Sequence, residues 1–189
     1  QVDAAGNVLQ EIGLPADVLA CRAASANRGS LGAGFEGLAV QKQGRGYVLR
    51  VAQQRGWDYT TPGCEDLDDD PTGANSGEPR QTRVWTYDPA SGAWSHVPYE
   101  LEPLSARAAW VGLSEIVALP DGSHGLIERD NLTGDFSQLK WLTRVSLAGP
   151  VTRAGKRHAD LMPPLRATHG WISDKPEGFT VAADGQAYV

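Results

Sequence analysis

The sequence predicts an all-β fold built from repeated units, and three related segments carry this prediction. The segment GFEGLAV at 34–40 returns as GLSEIVALPDG at 112–122 and as KPEGFTVAADG at 175–185. Each copy places one glutamate before a short apolar run, which a turn and a second strand-like run then follow. Similarity at a spacing of several tens of residues is typical of repeat architectures. The many Gly (22) and Pro (12) residues fit short strands joined by turns.

The first half of the chain predicts one complete unit. Apolar alternation predicts an outer strand at 6–15, and a short helical turn follows at 17–23. The first inner hairpin spans 34–54 and turns at Gly-Arg-Gly. After a polar insertion at 55–81, two alternating runs within 83–101 flank Asp-Pro-Ala-Ser-Gly. Because Pro presets a turn and Gly accepts the left-handed conformation, these runs predict a second hairpin.

The second half repeats this plan. A second inner hairpin spans 111–131 and is completed by a run at 140–149, whereas the proline-containing segment 150–174 is predicted to be a connector. A third unit opens at 175–189, where the sequence stops within a strand-like run. We therefore expect 1–189 to form a single partial domain, an incomplete arc of a larger β-propeller whose remaining blades are its partners. A β-sandwich is the second choice, because a sandwich has no reason to repeat the same acid, apolar run and turn.

Composition excludes several classes of protein. Apolar residues make up 41% of the chain, which argues against disorder, and no apolar run approaches the roughly 18 residues that span a bilayer. The net charge is −6 and the basic residues are scattered, so a nucleic-acid partner is not expected. Cys21 and Cys64 form no metal-binding or redox motif. A disulfide and two buried thiols remain alternatives for this pair.

The three repeated glutamates are Glu36, Glu115 and Glu177. Around a propeller axis, carboxylates at equivalent positions lie close together and repel one another unless a cation or protons neutralise them. Calcium, a hard ion that takes several oxygen ligands, suits such a site. Two alternatives remain: each glutamate accepts hydrogen bonds from the neighbouring blade as a structural clamp, or one of them is a catalytic carboxylate.

A second group of candidate residues, Glu128, Arg129 and Asp130, precedes Asn131 at the end of the second inner strand of its unit. The chain normally leaves the sheet there, near the mouth of a propeller channel. Arg129 could bind a phosphate or carboxylate in a bidentate manner, while the acids hold it or a metal. The alternative is that Glu128 and Asp130 only pair with Arg129 or cap a turn.

Other patterns in the sequence give little evidence of a functional site. The segment 66–70 has Asp at alternate places, but Pro71 and Gly77 stand where a calcium loop needs Gly and Glu, so a solvated insertion is expected. The four histidines lack zinc-binding spacing, and no serine lies in a Gly-x-Ser-x-Gly elbow. Trp85 and Trp94 flank one hairpin and are expected to pack between blades.

The combination of GFEGLAV, VWTYDPASGAW, GLSEIVALPDG, LIERDN and KPEGF resembles the family called "esterase-like activity of phytase". Its members are exported bacterial β-propeller proteins related by fold to calcium-dependent propeller phytases. The resemblance runs from about Gly34 to the end of the chain, and GLSEIVALPDG with LIERD is its most specific part. The FEG and PEG elements are also similar to the Glu-Gly motif of gluconolactonase and paraoxonase propellers, in which the Glu reaches a calcium ion.

The resemblance implies a secreted or periplasmic hydrolase of a phosphate ester or a related small anionic ester. In that scheme, calcium held by Glu36, Glu115 and Glu177 organises the anion and water. Arg129 and Lys175 stabilise the negative charge as it develops. The alternative function is a non-catalytic binding or scaffold propeller of the cell envelope, since fold alone does not fix function.

An open arc has a consequence for stability, because its ends expose strand edges and apolar blade faces. We expect the 189-residue chain in isolation to bind a hydrophobic dye and to unfold without a sharp transition. Dye fluorescence and a thermal melt followed by circular dichroism measure both properties. A monomeric, closed ring with a cooperative melt would contradict the arc and the predicted number of blades.

Overall fold

The computed structural model describes residues 1–24, 34–57, 81–167 and 175–189. Its first sheet has four antiparallel strands in sequence order, each hydrogen-bonded to the next. The strands are β1 (Phe35–Gln43), β2 (Gly46–Gln53), β3 (Gln81–Asp88) and β4 (Ala93–Glu100). The hairpins predicted within 34–54 and 83–101 are therefore present.

The second sheet has the same up-and-down order. Its strands are β5 (Val111–Ala118), β6 (His124–Asp130), β7 (Lys140–Val145) and β8 (Arg157–Asp160). A small third sheet pairs β9 (Thr180–Val181) with β10 (Ala187–Tyr188), and the two α-helices are α1 (Ala16–Ala24) and α2 (Met162–Arg166). The all-β fold is confirmed. Two successive four-stranded meanders are compatible with an arc of propeller blades, and no closed sheet forms among the described residues.

Two elements differ from the sequence prediction. The strand expected at 6–15 does not form, since this segment contributes only an isolated bridge between Val2 and Val8. Val8 and Leu9 are exposed, so little apolar packing holds this part of the chain against a sheet edge, and contact with a core is made further on by Leu14. In contrast, β8 lies inside the predicted connector 150–174. All four β8 residues are exposed, and a fully exposed edge strand carries no apolar alternation that a sequence pattern could detect.

The two large sheets pack face to face through their first strands. A Cβ atom placed on Gly37 of β1 would lie 2.6 Å from the backbone nitrogen of Ile116 in β5, so only glycine permits this approach. The backbone N–H of Leu113 also donates to the carbonyl of Gln54 (2.9 Å). An apolar core fills the remaining space between the sheets, comprising Ala39, Ala52, Val84, Tyr99, Leu101, Val111, Leu113, Ile116, Leu126, Val145, Leu147 and Val151.

The opposite face of the first sheet packs against α1. There Trp85 joins a separate core of Val18, Cys21, Val51 and Trp57, with Trp94 beside it. Trp85 and Trp94 therefore lie outside the core between the two large sheets, and their packing between blades stays a prediction. Cys21 is buried and disulfide-bonded, whereas Cys64, its predicted partner, lies outside the described residues.

Neither helix of the described chain has the length and apolar character required to cross a membrane.

The close approach at Gly37 gives a direct test of the sheet packing. We expect Gly37→Ala to destabilise the contact between β1 and β5 by about 1–3 kcal/mol, because the new methyl group meets backbone that cannot rotate away. Hydrogen exchange of the β5 amides measures this local opening. Gly13→Ala is the matched control, since nothing lies within 4 Å of its Cβ position. Equal protection of β5 in both variants would disprove the packing.

Candidate functional site

Strand β6 ends in three consecutive charged residues of alternating sign. Successive side chains of a strand point to opposite faces of the sheet. Glu128 faces the first sheet, where it accepts a hydrogen bond from the Tyr99 hydroxyl of β4 (2.9 Å). Arg129 faces the third sheet, where its Nη2 donates to Glu177 Oε1 (2.7 Å). On that face Gly125 also lies against the Phe179 ring. The predicted site residues Glu128 and Arg129 are therefore separated by the sheet itself.

Glu128 is fully buried, and each of its oxygens is hydrogen-bonded. Oε1 accepts the backbone N–H of Glu102 (2.6 Å), and Oε2 accepts Lys156 Nζ (2.9 Å) as well as Tyr99. Burial raises the pKa of Glu128, and the Lys156 ammonium opposes that rise. Burial and the Glu128 carboxylate also raise the pKa of Tyr99 well above its ordinary value. These bonds join β4, β6 and the segment before β8 into one buried ionic cluster.

Asp130 closes the loop between β6 and β7. Its Oδ2 accepts the backbone N–H groups of Gln138 (2.7 Å) and Leu139 (3.0 Å), and its Oδ1 accepts that of Leu132 (3.2 Å). Lys140, which is fully buried, forms an ion pair with the same carboxylate. Burial lowers the pKa of Lys140, and the bond to Asp130 opposes this shift. Each oxygen of Asp130 thus has an internal partner.

Asn131 orients a residue that sequence reasoning missed. Its Oδ1 accepts the backbone N–H groups of Ala109 (2.8 Å) and Trp110 (3.3 Å). The Trp110 ring then lies 5.3 Å from the Arg129 guanidinium carbon and 4.8 Å from that of Arg55. These distances are within the range of cation–π attraction. No spacing in the sequence could have indicated this contact, because Arg55 and Trp110 belong to different units.

Four of the predicted residues interact electrostatically on the Arg129 side of the sheet: Glu36, Glu177, Arg129 and Lys175. Burial raises the pKa of the Glu36 carboxyl, and repulsion from Glu177 raises it further. The positive charges of Arg129 and Lys175 act in the opposite direction. The structure therefore brings two of the repeated glutamates and both predicted cationic residues into one interacting group.

Glu115 lies beside this group. Its Oε2 is 3.7 Å from the Cβ position of Gly178, while its Oε1 accepts the backbone N–H of Ile116 (2.7 Å). The neighbouring hydroxyl of Ser114 donates to the carbonyl of Pro176 (3.0 Å), which fixes the start of the third unit against β5. All three repeated glutamates thus lie near the place where β1, β5 and the segment 175–179 meet.

The fit of these carboxylates to a calcium ion follows from their partners. Glu177 is paired with Arg129, and Glu115 with its own strand. Over residues 1–24, 34–57, 81–167 and 175–189, no three side chains of His, Cys, Asp or Glu are grouped closely enough to hold a metal. In this arrangement the residues do not form a calcium cage. The calcium-like segment 66–70 lies outside the described residues.

Comparison with protein-family models gives a match over the whole chain. The family model "Phytase-like: Esterase-like activity of phytase" matches residues 1–189. No curated protein and no solved structure matches the chain.

The buried ionic cluster predicts a non-additive pair of variants. We expect Glu128→Gln to cost about 3 kcal/mol, because Lys156 keeps a buried charge but loses its main partner. Lys156→Met should cost a similar amount, and the double variant clearly less than the sum. Hydrogen exchange of the β6 amides measures each change. Arg144→Gln, which breaks an exposed ion pair with Asp121, should have little effect. Additive costs would contradict the coupling.

The charges around Glu36 predict opposite shifts in its pKa. Removing the negative charge with Glu177→Gln should lower the pKa of Glu36, whereas removing the positive charge with Arg129→Gln should raise it. A carboxyl whose pKa is raised on folding favours the folded state at low pH and loses that contribution as pH rises through its folded pKa. Carboxyl ¹³C chemical shifts followed against pH measure the shifts. Shifts of the same sign would refute this electrostatic arrangement.

Proposed function

Because the chain belongs to the phytase-like family with esterase-like activity, we propose that it is a hydrolase of a small anionic ester. One observation carries this proposal. Four charged residues interact where β1, β6 and the segment 175–179 meet: Arg129, Lys175, Glu36 and Glu177. Positive charges that bind an anion, beside a carboxyl with a raised pKa, are the components of acid–base hydrolysis.

In the proposed reaction, Arg129 and Lys175 bind the anionic group of the ester, a phosphate or a carboxylate. Their charges also stabilise the negative charge that develops as the ester bond breaks. Glu36 accepts a proton from the attacking water and returns it to the departing alcohol, so the proton count balances. Its raised pKa favours this exchange, because an effective acid–base group titrates nearer the working pH.

Glu128 and Asp130 enter the proposal as supports of this group. Glu128 holds β6 against the first sheet, and Asp130 holds the loop that follows it. Arg129 lies between them, and their bonds fix the position of its backbone. The catalytic roles first predicted for Glu128 and Asp130 stay predictions.

Calcium at Glu36, Glu115 and Glu177 also stays a prediction. Such a site requires Glu177 to leave Arg129 and Glu115 to leave its backbone partner. The proposed reaction therefore contains no step through the ion. Isothermal titration of the chain with calcium, before and after Glu177→Gln, tests this prediction separately from hydrolysis.

Export to a secreted or periplasmic location forms part of the proposal. The disulfide at Cys21 supports it, because structural disulfides persist in oxidising compartments.

The alternative function is a non-catalytic binding or scaffold protein of the cell envelope. One observation favours it: the Arg129 charge is already balanced by Glu177, as in a structural ion pair.

Hydrolysis of two anionic esters, p-nitrophenyl phosphate and the mono-p-nitrophenyl ester of terephthalic acid, followed by released nitrophenolate, tests the proposed function. We expect turnover of at least one ester, and a loss of about 100-fold in kcat/KM for Arg129→Gln. Arg144→Gln is the control, since it removes an arginine from an exposed ion pair that is not part of the proposed group. Release no faster than in buffer for both esters, with calcium or with a chelator, would favour the scaffold.

A further inference from the structure

The ion pair between Arg129 and Glu177 is strongly asymmetric. The Arg129 side chain is 3% exposed, whereas that of Glu177 is 53% exposed. We propose that the Glu177 carboxylate occupies an anion-binding site on Arg129, and that an external oxyanion binds by displacing it. The inference rests on the proposed function, and it adds to that function a built-in competitor that controls access to the anion site.

Arg129 is held in place independently of Glu177. It belongs to the central strand β6, its Nη1 donates to the carbonyl of Asp130 (3.4 Å), and the Trp110 ring covers its guanidinium. Asn131 in turn fixes the backbone of Trp110. These contacts leave the guanidinium in its position when the carboxylate departs.

The same guanidinium lacks hydrogen bonds that it could make. Its Nε is buried and has no hydrogen-bond partner in the part of the chain that the structure describes. The bond to Asp130 is long, so among the residues that the structure describes Glu177 supplies the one short bond and the one opposite charge in direct contact. A buried guanidinium is costly without a charged acceptor, so any group that replaces Glu177 must be an anion.

Glu177 can turn away at low cost when an external anion takes its place on Arg129. It lies in the irregular segment 175–179 before β9, and water already reaches half of its side chain. The Ser114 bond to Pro176 fixes the adjacent backbone, so a side-chain rotation suffices. Departure also relieves the repulsion between Glu177 and Glu36, which contributes to the raised pKa of Glu36.

The ligand class follows from the charges that remain. With Glu177 turned to solvent, Arg129 offers a planar donor pair that matches a carboxylate or a phosphate. Lys175 adds a second positive charge near the site, which favours a dianionic phosphate over acetate. The exchange is non-covalent: one carboxylate leaves the guanidinium, and one oxyanion takes its place.

Isothermal titration with inorganic phosphate and with acetate tests the inference. We expect Glu177→Gln to bind phosphate about tenfold more tightly than the unmodified chain, as when a competitor occupies a site about nine-tenths of the time. Acetate should bind more weakly than phosphate but show a similar gain, because the fraction of sites that the competitor leaves free does not depend on the ligand. Glu177→Gln combined with Arg129→Gln should lose the gain for both anions.

Glu100→Gln is the matched control. The same substitution there frees Arg153, the guanidinium of an exposed pair, and should leave phosphate affinity unchanged. Unchanged affinity in Glu177→Gln, an equal gain in Glu100→Gln, or no detectable binding in any variant would overturn the inference. Because titration requires no turnover, a displaced Glu177 without ester hydrolysis would refute the proposed function alone. Hydrolysis without the gain in affinity would refute this inference alone.

Discussion

The Glu128 carboxylate lies buried between the two large sheets, and its compensation by Lys156 and Tyr99 constrains the rest of the molecule. A buried carboxylate without partners is far more costly than any single apolar contact in the surrounding core. Its partners come from β4 and from the segment just before β8, so both sheets must be in place before the charge is satisfied. The relative position of the sheets is therefore set by hydrogen bonds with strict geometry as well as by apolar packing.

This constraint also positions the candidate site. Since β6 is held on one face through Glu128, the side chain of Arg129 must project from the other face. Asp130 then fixes the loop that follows, and Asn131 fixes Trp110 against the guanidinium. Four consecutive polar residues thus perform four different tasks, three of which serve the position of Arg129. The mixed charge of the motif, which suggests a single binding site, is distributed by strand geometry over both faces of one sheet.

The sequence was sufficient to predict the all-β class, the hairpins and the neighbourhood of the repeated glutamates, because repeats and turn residues are local signals. It did not reveal β8, an exposed edge strand without apolar alternation, or the absence of a strand at 6–15. For the site, the family resemblance implied that Arg129 and Lys175 act together near the repeated glutamates, and both charges influence the pKa of Glu36, while their roles stay predictions. The contact of Trp110 with Arg55 was beyond reach, because a contact between different units leaves no trace in the spacing of one sequence.

The buried cluster around Glu128 also bears on the order in which the chain folds. Tyr99 and Lys156 lie 29 and 28 residues away from Glu128 along the chain, on either side of it. Closing such loops costs chain entropy before any bond compensates it, so contacts of this range form late and slow the folding of β-rich proteins. Each meander can form its local hairpins early. The two meanders dock only when the Glu128 carboxylate loses its hydrating water. The docking of the two hairpin stacks therefore requires the desolvation of one glutamate.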